Sequence, residues 1–169
     1  MAFQSAVNVL LAFGVAGELY AEGPTRVEPM IVNSAGAANV VGYAYTKAVA
    51  TGVASVGGTI ANGSVAFAGI LINPKRYASA GTLANGTLAA SVTVPDNANG
   101  DLLTMGEVVV AITGAANIGD QLCYNKTTGA LTALVPGGTL VTGTALVPNA
   151  VITRFATATD GLVVARLTN

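Results

Sequence analysis

Met105-Gly106-Glu107-Val108-Val109-Val110-Ala111-Ile112 decides the fold class of this chain. Branching at Cβ stiffens its consecutive valines and favours extended backbone over helix. The apolar residues fall on successive positions rather than alternate ones, which predicts a strand buried on both faces.

The pattern repeats outward in both directions. Downstream, Asn117-Ile118-Gly119-Asp120 reads as a turn and Gln121 to Asn125 as a strand. Lys126-Thr127-Thr128-Gly129 is a hairpin loop, and Ala130 to Leu134 returns. After Pro136-Gly137-Gly138 comes a strand over Thr139 to Leu146. Val151 to Ala156 and Leu162 to Leu167 form a last pair, joined through Thr159-Asp160-Gly161, where Asp-Gly favours a tight turn.

Upstream, Ala90 to Val94 is a strand closed by Pro95-Asp96-Asn97, and Asn85-Gly86 is a turn. Ser64 to Ile72 is a strand that Pro74 stops. Val40 to Ala50 is another, with Tyr43 and Tyr45 on one face by the two-residue period. Met30 to Asn33 is short. Gly17 to Pro29 reads as a loop or an edge segment, because Pro24 and Pro29 have no backbone donor. Phe3 to Val15 reads as an extended arm or strand; Gly14 and Gly17 weaken the alternative of a helix over Leu10 to Leu19. No repeat has the period of a solenoid or propeller. The expected fold is all-β, an antiparallel β-sandwich or barrel with an extended N-terminal arm. Residues 1–29 are expected to form the arm and a loop, and residues 30–169 the domain.

Composition narrows the function. Charged residues make up 9% of the chain, against roughly 25% in an ordinary soluble domain. A free monomer keeps itself soluble with a mixed, charged surface, whereas interface cores are depleted in Lys, Glu and Asp. The scarcity therefore favours a chain buried in an assembly over a monomer coated in Ser, Thr and Asn. The net charge is −1, with no basic patch to track phosphates and no basic amphipathic stretch for a membrane surface. Nucleic acid and membrane are not expected partners. The first residues carry no Lys or Arg of the kind that opens a signal peptide.

The chemistry of catalysis is missing as well. There is no histidine, which removes the commonest general base and transition-metal ligand. Cys123, the single cysteine, sits in an apolar run and reads as a buried, inert thiol. Glu107 opens an apolar strand, and Asp120 and Asp160 sit in turns, where Asp bonds backbone. Asp96, Asn97, Asn99 and Asp101 around Gly100 lack the spacing of a calcium-binding EF-hand loop and read as a polar turn. Tyr43, Tyr45, Phe67 and Phe155 read as core. No glycine-rich stretch has the phosphate-cradling pattern. No enzyme activity, cofactor or metal is expected.

Several segments carry a resemblance. Ala2-Phe3-Gln4-Ser5-Ala6-Val7-Asn8 leads into Gly14-Val15-Ala16-Gly17-Glu18-Leu19, then Gly23-Pro24 and Arg26. Phe67-Ala68-Gly69-Ile70-Leu71-Ile72-Asn73-Pro74-Lys75 follows. Leu103 to Val110 and the hairpin from Gly119 through Leu131 complete the set. In these segments the chain resembles the structural cement, or capsid decoration, proteins of tailed bacteriophages.

The resemblance implies a virion protein on the outer surface of the phage head, clamping major capsid protein subunits together. It also implies a homo-oligomer, a trimer being favoured and a dimer possible. The expected interface comprises Phe3, Gln4, Val7, Val9, Leu11 and Phe13 of the arm, then Pro24, Arg26, Pro74, Lys75, Arg76 and Tyr77. Strand addition between chains is a natural way to lock such subunits. Two other readings stay open: another virion component, such as a tail-tube subunit, and a secreted β-sandwich adhesin. The absent Trp and absent basic N-region count against the adhesin.

Overall fold

The computed structural model describes residues 14–20, 23–73 and 93–168. In chain order its strands are β1 (Arg26–Val32), β2 (Asn39–Val40), β3 (Ala44–Ala48), β4 (Ala54–Val56), β5 (Val65–Leu71) and β6 (Thr93–Val94). Then come β7 (Ala98–Thr113), β8 (Gln121–Asn125), β9 (Leu131–Leu134), β10 (Thr144–Arg154) and β11 (Gly161–Leu167). The described residues contain no helix.

The stretch that decides the fold class is the second half of β7, a 16-residue strand that serves two barrels. Its first half closes a ring with β1, β4, β3 and β5, and its second half closes another with β11, β10, β8 and β9. A ring of five strands cannot alternate in direction all the way round, so each must hold a parallel pair. The parallel closures are β1 with β4 at Val32 and Ala54, and β7 with β9 at Ile112 and Leu131. The fold is thus all-β, as expected, but not purely antiparallel.

The two rings share one topology. Taking β1, β3, β4, β5, β7 as one set and β7 to β11 as the other, the first strand of each pairs in parallel with the third. The third then pairs with the second, the second with the fourth, the fourth with the fifth and the fifth with the first, all antiparallel. Sequence echoes it: Gly36-Ala37-Ala38-Asn39 answers Gly114-Ala115-Ala116-Asn117, and Tyr45-Thr46-Lys47 answers Tyr124-Asn125-Lys126. The chain is a tandem pair of units that share a strand.

β3, β5 and β7 send neighbouring residues into different cores. Tyr45, Leu71 and Leu102 fill the first barrel, while Ala44, Ile70 and Leu103 pack with the interior of the second. Strand side chains alternate between faces, so these three strands are buried on both. Val108, Val109 and Val110 are buried as well, which is what their sequence predicts. A register shift opposite Arg26 and Val27 marks a bulge in β7, and Gly106 follows it at φ +130°. Bulges bend and twist the strand that carries them, and this one falls where β7 passes from one barrel to the other.

Several boundaries differ from expectation. β1 begins at Arg26, inside the stretch read as loop or edge segment, and runs through Pro29. β7 begins at Ala98, so Asn99 and Asp101 stand in a strand and only Asp96 and Asn97 in the turn before it. The expected strand over Val40 to Ala50 is broken at Gly42 into β2 and β3. The first half of the Thr139 to Leu146 strand is turn, and β10 instead runs on to Arg154 through Pro148. Proline is tolerated there because the register of β10 slips between Leu146 and Val151, leaving its missing donor unneeded. The Asn85-Gly86 turn lies outside the described residues.

Candidate functional site

The N-terminal strap, residues 14–20, lies between the barrels. Gly17 N–H donates to the Val109 carbonyl at 2.8 Å, Val109 N–H to the Glu18 carbonyl at 2.8 Å, and Tyr20 N–H to the Glu107 carbonyl at 3.0 Å. This is antiparallel pairing on the edge of β7, with Leu19 opposite Val108. Asn73 N–H, at the end of β5, donates to the Gly17 carbonyl at 2.8 Å, so one residue bonds to both barrels. Gly17 has φ +84°, and an added Cβ would overlap the Val41 side chain. Residues 14–20 are not helical, so the helix alternative that Gly14 and Gly17 weakened does not hold there; these glycines serve close approach to β7 and β5.

The end of the strap builds an aromatic and charged surface. Tyr20 meets Phe155 edge to face, with ring centroids 6.1 Å apart, and the Arg154 guanidinium lies 5.4 Å from the Tyr20 centroid. Arg154 also approaches Glu107 at 3.9 Å. Phe155 carries φ +60°, rare for a bulky residue, and is 39% exposed. It is not core, contrary to its sequence reading, because β10 ends at Arg154 and the chain turns outward there. Phe67 does pack on the second core, against Tyr124. Exposed Ile118 and Val151 line a shallow cleft with Glu107, Arg154 and Arg166. A second, more apolar cleft lies beside it, bounded by Pro24, Met105, Glu107, Arg166 and Leu167.

Pro24 and Arg26 are thus placed on the surface, Pro24 in that cleft and Arg26 opposite Met105 at the start of β1. Phe3, Gln4, Val7, Val9, Leu11 and Phe13 lie outside the described residues, as do Pro74, Lys75, Arg76 and Tyr77. The sequence reading missed Tyr20, Arg154 and Phe155. They lie far apart in the chain, and only the strap's pairing brings Tyr20 to the other two.

The titratable groups are held for structure. Asp96 accepts from the N–H groups of Ser34 at 3.0 Å and Gly36 at 3.2 Å and from the Asn39 amide at 2.7 Å. Those bonds, the Ser34 one foremost, hold its carboxyl below the usual range. Asp160 bonds Gly114 N–H at 2.7 Å, the same clamp in the second barrel. Asp120 accepts from Asn117 N–H. Burial pushes the Tyr45 and Tyr124 hydroxyls and the Cys123 thiol upward, so all three stay protonated at neutral pH. Among the described residues no cluster of Asp, Glu or Cys is grouped to hold a metal.

Comparison with known proteins gives one family. The family described as structural cement protein (E217 gp24/Pam3 gp6) matches residues 3–168. A chain from the capsid of Myoviridae Phage XM1 shares the fold, with a TM-score of 0.64 and 18% identity over 99% of this chain and 98% of that one. No curated protein matches.

Proposed function

The chain belongs to the structural cement protein family of phages, a virion component that stabilises the capsid, and from that premise we propose that it binds the outer surface of the head and bridges major capsid protein subunits there. The match over residues 3–168 carries this reading. The architecture supports it. Two barrels are locked by a common strand, by the strap, and by the β8–β9 turn, where Ala44 N–H donates to the Gly129 carbonyl at 3.0 Å and Gly58 N–H to that of Lys126 at 2.6 Å. These links couple the two barrels, as bridging between capsid subunits requires.

The role needs no chemistry, and we propose that the protein is not an enzyme. The contact surface we propose combines the arm and the residues around Lys75 with the Tyr20–Arg154–Phe155 patch. Aromatic residues and arginine are enriched at interface cores. Homo-oligomers, trimers first, belong to the same proposal, since a capsid offers three-fold positions.

The test is to mix the purified protein with undecorated heads and sediment them. The protein should pellet with the heads and raise their resistance to heat. A protein left wholly in the supernatant would sink the proposal.

A further inference from the structure

Superposing the two pairing schemes equates Val32 with Ile112, because each forms the parallel closure of its barrel. Pro29 then occupies the position of Val109, and Val27 that of Glu107. In the second barrel this edge receives the strap, through Val109 N–H and the carbonyls of Val109 and Glu107. In the first barrel the same edge of β1 is paired by no described residue between Arg26 and Ile31.

The direction of Pro29 follows from its neighbours. Asp101, its partner across the ladder, turns its carbonyl toward β5, where Ile72 N–H donates to it at 2.9 Å. The Val32 carbonyl faces β7 and accepts from Asn97 N–H, whereas Asn33 N–H faces β4 and donates to Ala54. By alternation the Pro29 nitrogen points to that edge, away from β7. Pro29 and Ile31 are exposed there, Ile31 by 50%.

We infer that the outer edge of β1 is a second acceptor for the strap sequence Gly14-Val15-Ala16-Gly17-Glu18-Leu19-Tyr20, kept shut to the straps of other copies by Pro29. A strap docked on β1 finds the Val27 and Pro29 carbonyls in place of those of Glu107 and Val109. Its Glu18 carbonyl meets the proline ring where Val109 supplies an N–H. Proline on an exposed edge is a recognised guard against unwanted pairing. The strap is thereby committed to β7, and copies are kept from joining through β1. This inference stands on the tandem fold and is independent of the capsid role.

A labelled peptide with the sequence of residues 14–20 tests it, titrated against the full-length protein and Pro29→Val. The wild type already fills its β7 edge, so new binding reports β1. Pro29→Val should bind roughly tenfold or more tightly, the effect of supplying one missing backbone donor. It should also protect the amide at position 29 from hydrogen exchange and self-associate in sedimentation velocity. Pro29→Ala repeats the test if valine disturbs folding. Equal peptide binding and equal mass for wild type and both variants would overturn the proposal.

Discussion

Gly17 and Val41 leave no room between them for a Cβ atom. A methyl group on Gly17 would overlap the Val41 side chain, and the Gly42 nitrogen and Leu71 carbonyl lie behind at 3.1 and 3.2 Å. At φ +84° the backbone itself disfavours any L side chain by about 1–2 kcal/mol. Gly17→Ala is therefore expected to undock the strap and leave both barrels folded, since each ring closes through its own five strands. Hydrogen exchange should show the Val109 amide losing protection while those of Val108 and Val110, paired toward β11, keep theirs. Unchanged protection at Val109 would refute the account.

Asp96 ties the start of β7 to the turn after β1, and its bonds are stronger when it is charged. Its pKa is depressed in the folded state. Such a group stabilises the fold above its unfolded pKa, near 3.9, and loses that contribution as pH falls through the folded value. Acid unfolding of the wild type should therefore steepen below about pH 4. Asp96→Asn should be less stable than wild type at pH 7 and less sensitive to acid below pH 4. Stability curves in urea at several pH values measure this, and parallel curves for the two proteins would contradict it.

Cys123, on β8, is 2% exposed, and burial raises its thiol pKa. A thiol-reactive disulfide dye needs an exposed thiolate. Labelling at pH 8 should be slow in the native protein and complete in denaturant, with a rate that follows the unfolding equilibrium. Fast labelling without denaturant would show that the second barrel opens locally near β8.

Much of this fold is written in local signals. The hairpin Gln121 to Leu134 and the strand Ser64 to Ile72 are legible because turn residues bound them and apolar residues fill them. Val108 to Val110 announce burial on two faces. What covers each face is not legible: Val109 lies under the strap, while its neighbours face the barrel interior. The duplication escapes a search at short periods because the two units share a strand and differ in one connection. β5 and β7 are joined through residues 72–97, whereas β10 and β11 are joined through residues 155–160. The Tyr20–Arg154 contact is hidden for a related reason, since it depends on where the strap docks and not on any spacing.

The duplication supplies an internal control for the final prediction. Gly52 and Gly129 close equivalent hairpins at φ +69° and +73°, so an alanine carries the same backbone cost at each, about 1–2 kcal/mol. Their surroundings differ. Nothing lies within 4 Å of a Cβ on Gly52, whereas one on Gly129 would come within 2.6 Å of the Ala44 carbonyl and 3.0 Å of the Gly57 nitrogen. Those are backbone atoms of the neighbouring barrel, bonded to each other and unable to give way singly. Gly129→Ala must therefore part the β8–β9 turn from β3 and β4 and break the Ala44–Gly129 bond. Its loss in urea unfolding should exceed that of Gly52→Ala by at least about 2 kcal/mol, the scale of an overpacked contact. Equal losses would mean that the β8–β9 turn is free to part from β3 and β4 at this seam.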